Sequence, residues 1–397
     1  MSDGQNPGRF HRDLRCYRRA RMLSRRDLLR ALPLAPLAGG LLWSAPARAE
    51  QLVRIAVGRF KGALTVSGPG LELRGSDGNV LARDRPVVLS ATSEGITLAG
   101  KRLPYELLRL LGKDELSLRG HRYRRFLEVR WREYRGRPEL LVVHPLPLET
   151  YVAGIVSSEL PHKWPLEAMK VQAVAARTYA VWQKYRRLDL PYHMESTVLD
   201  QVYHGAQREH EDAHRAVAET YGMLLVHGRR PARAYFHSSC GGHTESAAEG
   251  WGTPLPYLPG SPCGFCDIAT RFRWKARVSK KDLDGAFSRL LGEPVEDIRV
   301  LSRTKTDRLK AVEVRGRKKK QRITGADLRR LVGYNKIWST LVTRLDVGAG
   351  GLVVDGRGAG HGVGMCQWGA RGMVEKGHSF DEALLRYYPG AELRRMY

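Results

Sequence analysis

Leu148, Tyr151, Val152, Ile155 and Val156 recur at i, i+3, i+4, i+7 and i+8, the spacing of one buried helical face. The next member of that series, i+11, is Glu159, a carboxylate where the pattern calls for an apolar side chain. Pro161 stops this helix two residues later. A second helix is predicted to open at Trp164-Pro165, with Pro165 at its first position and Glu167 in its first turn. Leu166, Met169, Ala173, Ala176 and Ala180 form its apolar seam, and the alanines let another backbone come close, which places this helix centrally. Gln172 and Arg177 lie off the seam, facing either solvent or a groove.

Elsewhere the period is two. Strands are predicted at Leu52–Val57, Ala63–Val66, Pro86–Leu89, Gly95–Ala99, Leu127–Trp131 and Glu139–His144, with glycine turns at 68–70 and 75–78. Later strands are expected at Ala232–Phe236, Ala311–Val314, Leu341–Val347 and Gly351–Asp355, and short helices at Gly325–Leu331 and after the capping box Ser379-Glu382. Ser196–Tyr203 alternates polar and aromatic residues, so Gln201 and Tyr203 share a face, either of a cleft or of a half-buried strand. The fold class is therefore α+β: a β-rich N-terminal module (50–145) packed beside a mixed α/β core (146–397) that carries a groove.

Residues 1–49 break this picture. Ser24-Arg25-Arg26-Asp27-Leu28-Leu29-Arg30 followed by an apolar run from Ala31 to Trp43 and by Ala47-Arg48-Ala49 has the form of a cleaved twin-arginine signal, with Met22 as an alternative start. The run is too short and too rich in Pro and Gly to span a membrane. The protein is thus expected to be exported to the periplasm or cell envelope, with no integral span once the leader is removed. The whole chain carries +26; removing ten arginines and three aspartates with the leader leaves 26 − 7 = +19. Such a charge favours anionic partners. Export argues against nucleic acid, and the run Arg315–Arg322 lacks the interleaved aromatics that stack bases, so it reads as a solvated hairpin tip.

Three groups carry candidate chemistry. Glu159, partly buried at a helix C-terminus, should have a raised pKa, as a general acid requires. Cys240-x2-His243 followed by Cys263-x2-Cys266 suits a tetrahedral zinc ion, with His237 competing for the fourth place. Such a closed set would be structural. A disulfide is the alternative natural to an exported chain, although twin-arginine export of folded proteins favours the metal. Finally, glycines alternate from Gly356 to Gly364, allowing close backbone approach to a bulky ligand, and His361, Gln367 and Trp368 follow with hydrogen bonds and a flat apolar face. A dinucleotide loop is not indicated, since no Lys-Ser/Thr follows.

Three blocks, PLETYVAGIVSSELPHKWPLEAMKVQAVAARTYA from Pro147, YFHSSCGGHTESAAEGWG from Tyr235 and GRGAGHGVGMCQWGARGM from Gly356, together resemble the ordered motifs of the SpoIID/LytB family, the stage II sporulation protein D group. Ser196–Tyr203 resembles a further block, and 275–348 resembles the family's scaffold segment between motifs two and three. The resemblance implies a peptidoglycan lytic transglycosylase or an enhancer of a wall amidase. It places Glu159 at the catalytic acid/base position and implies glycan strands stripped of stem peptides as substrate. It implies a groove role for His237, to which the residue patterns add Gln201, Tyr203, Arg177, His361, Gln367 and Trp368 as candidate substrate-binding residues. The family keeps a histidine at the position of His237 even in members without the cysteines. Cys366 stands where the family usually has Ser.

Overall fold

Alternation along Leu52–Phe60 turns Val53, Ile55 and Phe60 inward, and this strand pairs antiparallel with Arg137–Pro147. That strand pairs with His121–Tyr134, and it in turn with Leu107–Leu118, at the centre of a seven-stranded sheet. The computed structural model describes residues 51–197 and 200–397, so the predicted leader and its start at Met22 lie outside the described residues. Leu107–Leu118 was not expected as a strand: its apolar residues do not alternate cleanly, and a register shift between Leu111 and Glu115 absorbs the fault. A four-stranded sheet (Leu64–Val66, Val87–Thr92, Gly95–Leu98, Lys101–Arg102) contributes Leu64, Val66, Leu89 and Ile96 to the same core.

Helix α1 (Leu148–Glu159) starts where the strand Arg137–Pro147 ends, and α2 (Leu166–Arg186) starts after Pro165. The predicted seam of α2, Met169, Ala173, Ala176 and Ala180, packs into the core of the β-sheets. Its other face, Val171, Val174 and Ala175, packs into a second core with Val363, Met365 and Leu384. The helix is therefore buried all round and separates two cores. α3 (Glu211–Glu219) packs on α1 and α2; α4 (Ala247–Trp251) is short. α5 (Lys280–Leu291) and α6 (Gly325–Val332) cover two three-stranded sheets around Phe287, Val312, Leu328 and Val354, a third core. α7 (Gln367–Glu375) and α8 (Phe380–Tyr387) close the second core.

The architecture is α+β and strand-rich. The first core runs across residue 145, uniting the β-rich module with α1 and α2. Arg315–Arg322 forms the end of a hairpin, its turn at 316–319 joining the paired strands Leu309–Arg315 and Lys320–Thr324. The expected strand at Ala232–Phe236 needs correction, and the strand alternative for Ser196–Tyr203 does not hold. Between Pro231 and Phe236 a tight turn, Tyr235 N–H to Arg233 O, interrupts the ladder, leaving only Phe236–His237 paired, with Met365–Cys366. After Met194–Glu195 the chain turns instead of continuing, because the Asp200 carboxylate pairs with Arg187 and accepts from Tyr179, Gln183 and the Glu195 N–H. Among the described residues no helix is long and apolar enough to cross a membrane.

Candidate active site and a four-cysteine cluster

Glu159 is the last residue of α1 and half-buried. Its Oε2 accepts from Gln367 Nε2 at 3.3 Å, and it also accepts from the Val202 N–H. Burial raises its pKa above the ordinary carboxyl value, against the lowering effect of these two hydrogen bonds. Gln367 opens α7, and its amide also donates to Gln172 Oε1 at 3.3 Å. Gln172, off the seam of α2, thus turns toward the site. Beside it, Trp368 meets Trp164 edge to face at 5.0 Å, and the Arg371 guanidinium lies over both rings. Three distant segments therefore converge: the end of α1 with Trp164, one face of α2, and the start of α7.

Other expected groove residues lie differently. Arg177 is fully buried, paired with Glu149 at 2.6 Å and bonded to Val217 O and Met223 O. It ties α1, α2 and α3 together rather than lining a groove. Gln201 is buried, accepting from Tyr151 Oη and donating to Ala176 O. Tyr203 packs edge-on to Gly154, where a Cβ would stand 2.7 Å from its ring, and its hydroxyl meets His144. These two hold the loop that presents Val202 N–H to Glu159. His237 and His361 face each other at 5.4 Å in a group with Tyr235 and Trp251. His237 Nδ1 donates to Val363 O, so its buried Nε2 carries a lone pair with no partner among the described residues. Burial lowers the pKa of both rings, His361 to about 4, and keeps them neutral.

The alternating glycines approach the protein itself rather than a ligand. Gly362, with φ +85°, covers the Arg308 guanidinium, and Gly364, with φ +75°, abuts Tyr235 O, where a Cβ would be at 2.1 Å. A hollow of about 620 Å³ opens elsewhere, lined by Gly68, Asp114, Arg122 and Arg124. It shares no lining residue with the site around Glu159.

Cys240, Cys263, Cys266 and Cys366 are all buried, with their sulfurs within 4.8 Å of one another, close enough to hold a metal ion. This corrects the expected ligand set. His243 is directed elsewhere, its Nδ1 donating to Thr244 O at 2.7 Å, and the fourth sulfur comes from the third motif. The four cysteines are free thiols rather than disulfides. Shared hydrogen bonds hold Cys266 low, while burial pushes Cys366 up. The signal for Cys366 was its departure from the usual Ser of the family it resembles.

A family model described as Stage II sporulation protein matches residues 137–227, which include α1, Glu159 and α2. A second, a domain of unknown function, matches 266–364, which spans the third core. An uncharacterized protein of Brachyspira hyodysenteriae is 33% identical over 255 residues, 64% of this chain and 68% of that one. The chain belongs to the SpoIID family. Stage II sporulation protein D of Bacillus subtilis is 28% identical over 270 residues, 63% of this SpoIID chain and 75% of its own length. The amidase enhancer of Bacillus subtilis is 27% identical over 287 residues, 60% of this chain but 40% of that longer protein.

Proposed function

We propose that this SpoIID protein acts on peptidoglycan in the cell envelope, reached by its leader, and cleaves glycan strands as a lytic transglycosylase with Glu159 as its acid/base. The observation that carries this reading is a single half-buried carboxyl of raised pKa, held by amide donors beside two indoles. Protonated Glu159 gives its proton to the oxygen between N-acetylmuramic acid and N-acetylglucosamine as that C–O bond breaks. The resulting carboxylate then takes the proton of the muramyl C6 hydroxyl, whose oxygen closes on C1 to give a 1,6-anhydro end. No water is activated, so the second carboxylate of ordinary glycosidases is dispensable. Trp368, backed by Trp164, is the candidate flat face for a sugar ring. His237 and His361, which pack together beside the Phe236–His237 pairing with Met365–Cys366, have no role in this proton transfer. In the four cysteines we see a structural zinc site: four thiolates leave no open position for substrate or water.

The relative named amidase enhancer favours a second reading, a wall-binding partner that stimulates an amidase. One experiment separates the two. Purified protein incubated with stripped glycan strands should release 1,6-anhydro saccharides, detected by mass spectrometry. Glu159→Gln should lower that release by about 10²–10⁴-fold while glycan binding survives. No anhydro product from the wild type, or undiminished product from the folded variant, would discard the acid/base role.

A further inference from the structure

The cysteine cluster and the candidate active site share one point of attachment. Cys366 is the N-cap of α7, its sulfur accepting from Gly369 N–H at 3.3 Å and from Cys240 N–H at 3.2 Å. The next residue, Gln367, is the one that holds Glu159. Cys240 comes from the second motif, Cys263 and Cys266 from the loop after it, and Cys366 from the third. Gly369 lets that loop approach, since a Cβ there would stand 2.6 Å from Cys263 Sγ. Tetrahedral zinc–thiolate bonds of ~2.3 Å put sulfurs about 3.8 Å apart; here Cys240 Sγ and Cys266 Sγ are 3.4 Å apart and all four sulfurs lie within 4.8 Å of one another.

Charge supplies a second, independent observation. Zinc with four thiolates leaves two negative charges in a buried place. Arg308, only 2% exposed, lies beside the cluster: its Nη2 donates to Cys240 O and His243 O, while its Nε and Nη1 have no hydrogen-bond partner among the described residues. A buried guanidinium demands a compensating anion. The buried Glu245 carboxylate is one and a metal–thiolate centre is another, while the N–H donors to Cys366 and the Tyr387 hydroxyl at 3.1 Å from Cys263 Sγ would share the remaining charge.

We propose that Cys240, Cys263, Cys266 and Cys366 bind one zinc ion, charge-balanced by Arg308, and that this ion, by fixing Cys366, makes Gln367 a positioning residue for Glu159. Binding releases the thiol protons to solvent. The positioning role rests on the reading of Glu159 as acid/base; the metal site does not, and neither is tested through activity. The purified protein should contain one zinc per chain by elemental analysis, and cobalt substitution should give the visible spectrum of a tetrahedral four-sulfur site. His243→Ala should keep that spectrum, and Cys366→Ser should lose it. In 15N-labelled protein the Gln367 side-chain amide resonance should shift on Glu159→Gln when zinc is bound. It should not shift on that change in Cys366→Ser or in chelator-treated protein that remains folded by melting temperature. Absence of metal, disulfides at these positions, or dependence on His243 would overturn the site. An amide response that survives zinc removal would overturn the positioning role alone. Global unfolding of both zinc-free forms would do the same, since the ion would then hold the fold and not Gln367.

Discussion

A carboxyl that is half-buried and raised in pKa leaves a mark on stability as well as on catalysis. The folded pKa of Glu159 lies above its ordinary value of 4.5, so between the two the folded chain binds more protons, and stability falls as pH rises through that window. Glu159→Gln removes this loss. The variant should be more stable than wild type at neutral pH, and the difference should close below about pH 4.5, as read by urea unfolding across pH. Arg177 makes the opposite case, a charge that is structural. Glu149→Ala would strand its fully buried guanidinium and should cost about 3–5 kcal/mol in urea unfolding. Glycan binding by the protein that remains folded should be unchanged.

Between elements, the site depends on α1 meeting the loop at 200–203 closely. Gly154 in α1 makes that approach possible, because a Cβ there would press on the Tyr203 ring at 2.7 Å. Gly154→Ala gains helix propensity but overpacks this contact, and the net effect should be a loss of about 1–3 kcal/mol. The displaced loop would withdraw the Val202 N–H from Glu159, so hydrogen exchange at Val202 should accelerate more than at α2. Equal exchange at the two places would show that the loop does not depend on this contact. The edge-to-face pair of Trp164 and Trp368 joins α7 to the turn before α2 in the same way, by packing between residues far apart in the chain.

At the scale of the molecule, three buried histidines, His144, His193 and His361, have pKa values lowered to about 4 by desolvation. Between about 4 and the ordinary 6.5 the unfolded chain binds more protons, so stability should rise with pH across that window. Denaturant midpoints measured from pH 4 to 7 should climb steeply, and a flat profile would mean that these rings are solvated. Export belongs to the same scale. Replacing Arg25 and Arg26 by lysine should leave the full chain in the cytoplasm, and unchanged fractionation would remove the twin-arginine assignment.

Local pattern was enough to determine the helix pair, its bounding prolines and Glu159 at the end of an apolar face, since helical period and termination are properties of a few consecutive residues. It also determined the hairpin tip at 315–322 and three of the four clustered cysteines. Pattern failed where long-range partners override it. Ser196–Tyr203 alternates like a strand, yet Asp200 finds Arg187 and the chain turns. Arg177 lies off the seam of α2, but Glu149 of α1 and the carbonyls of Val217 and Met223 take up its guanidinium and bury it. Above all, the fourth sulfur, Cys366, stands a hundred residues beyond Cys266, and Gln367 reaches Glu159 across 208 positions. Local periodicity has no means of pairing residues so far apart; only the packing of α7 against α2 brings them to one place.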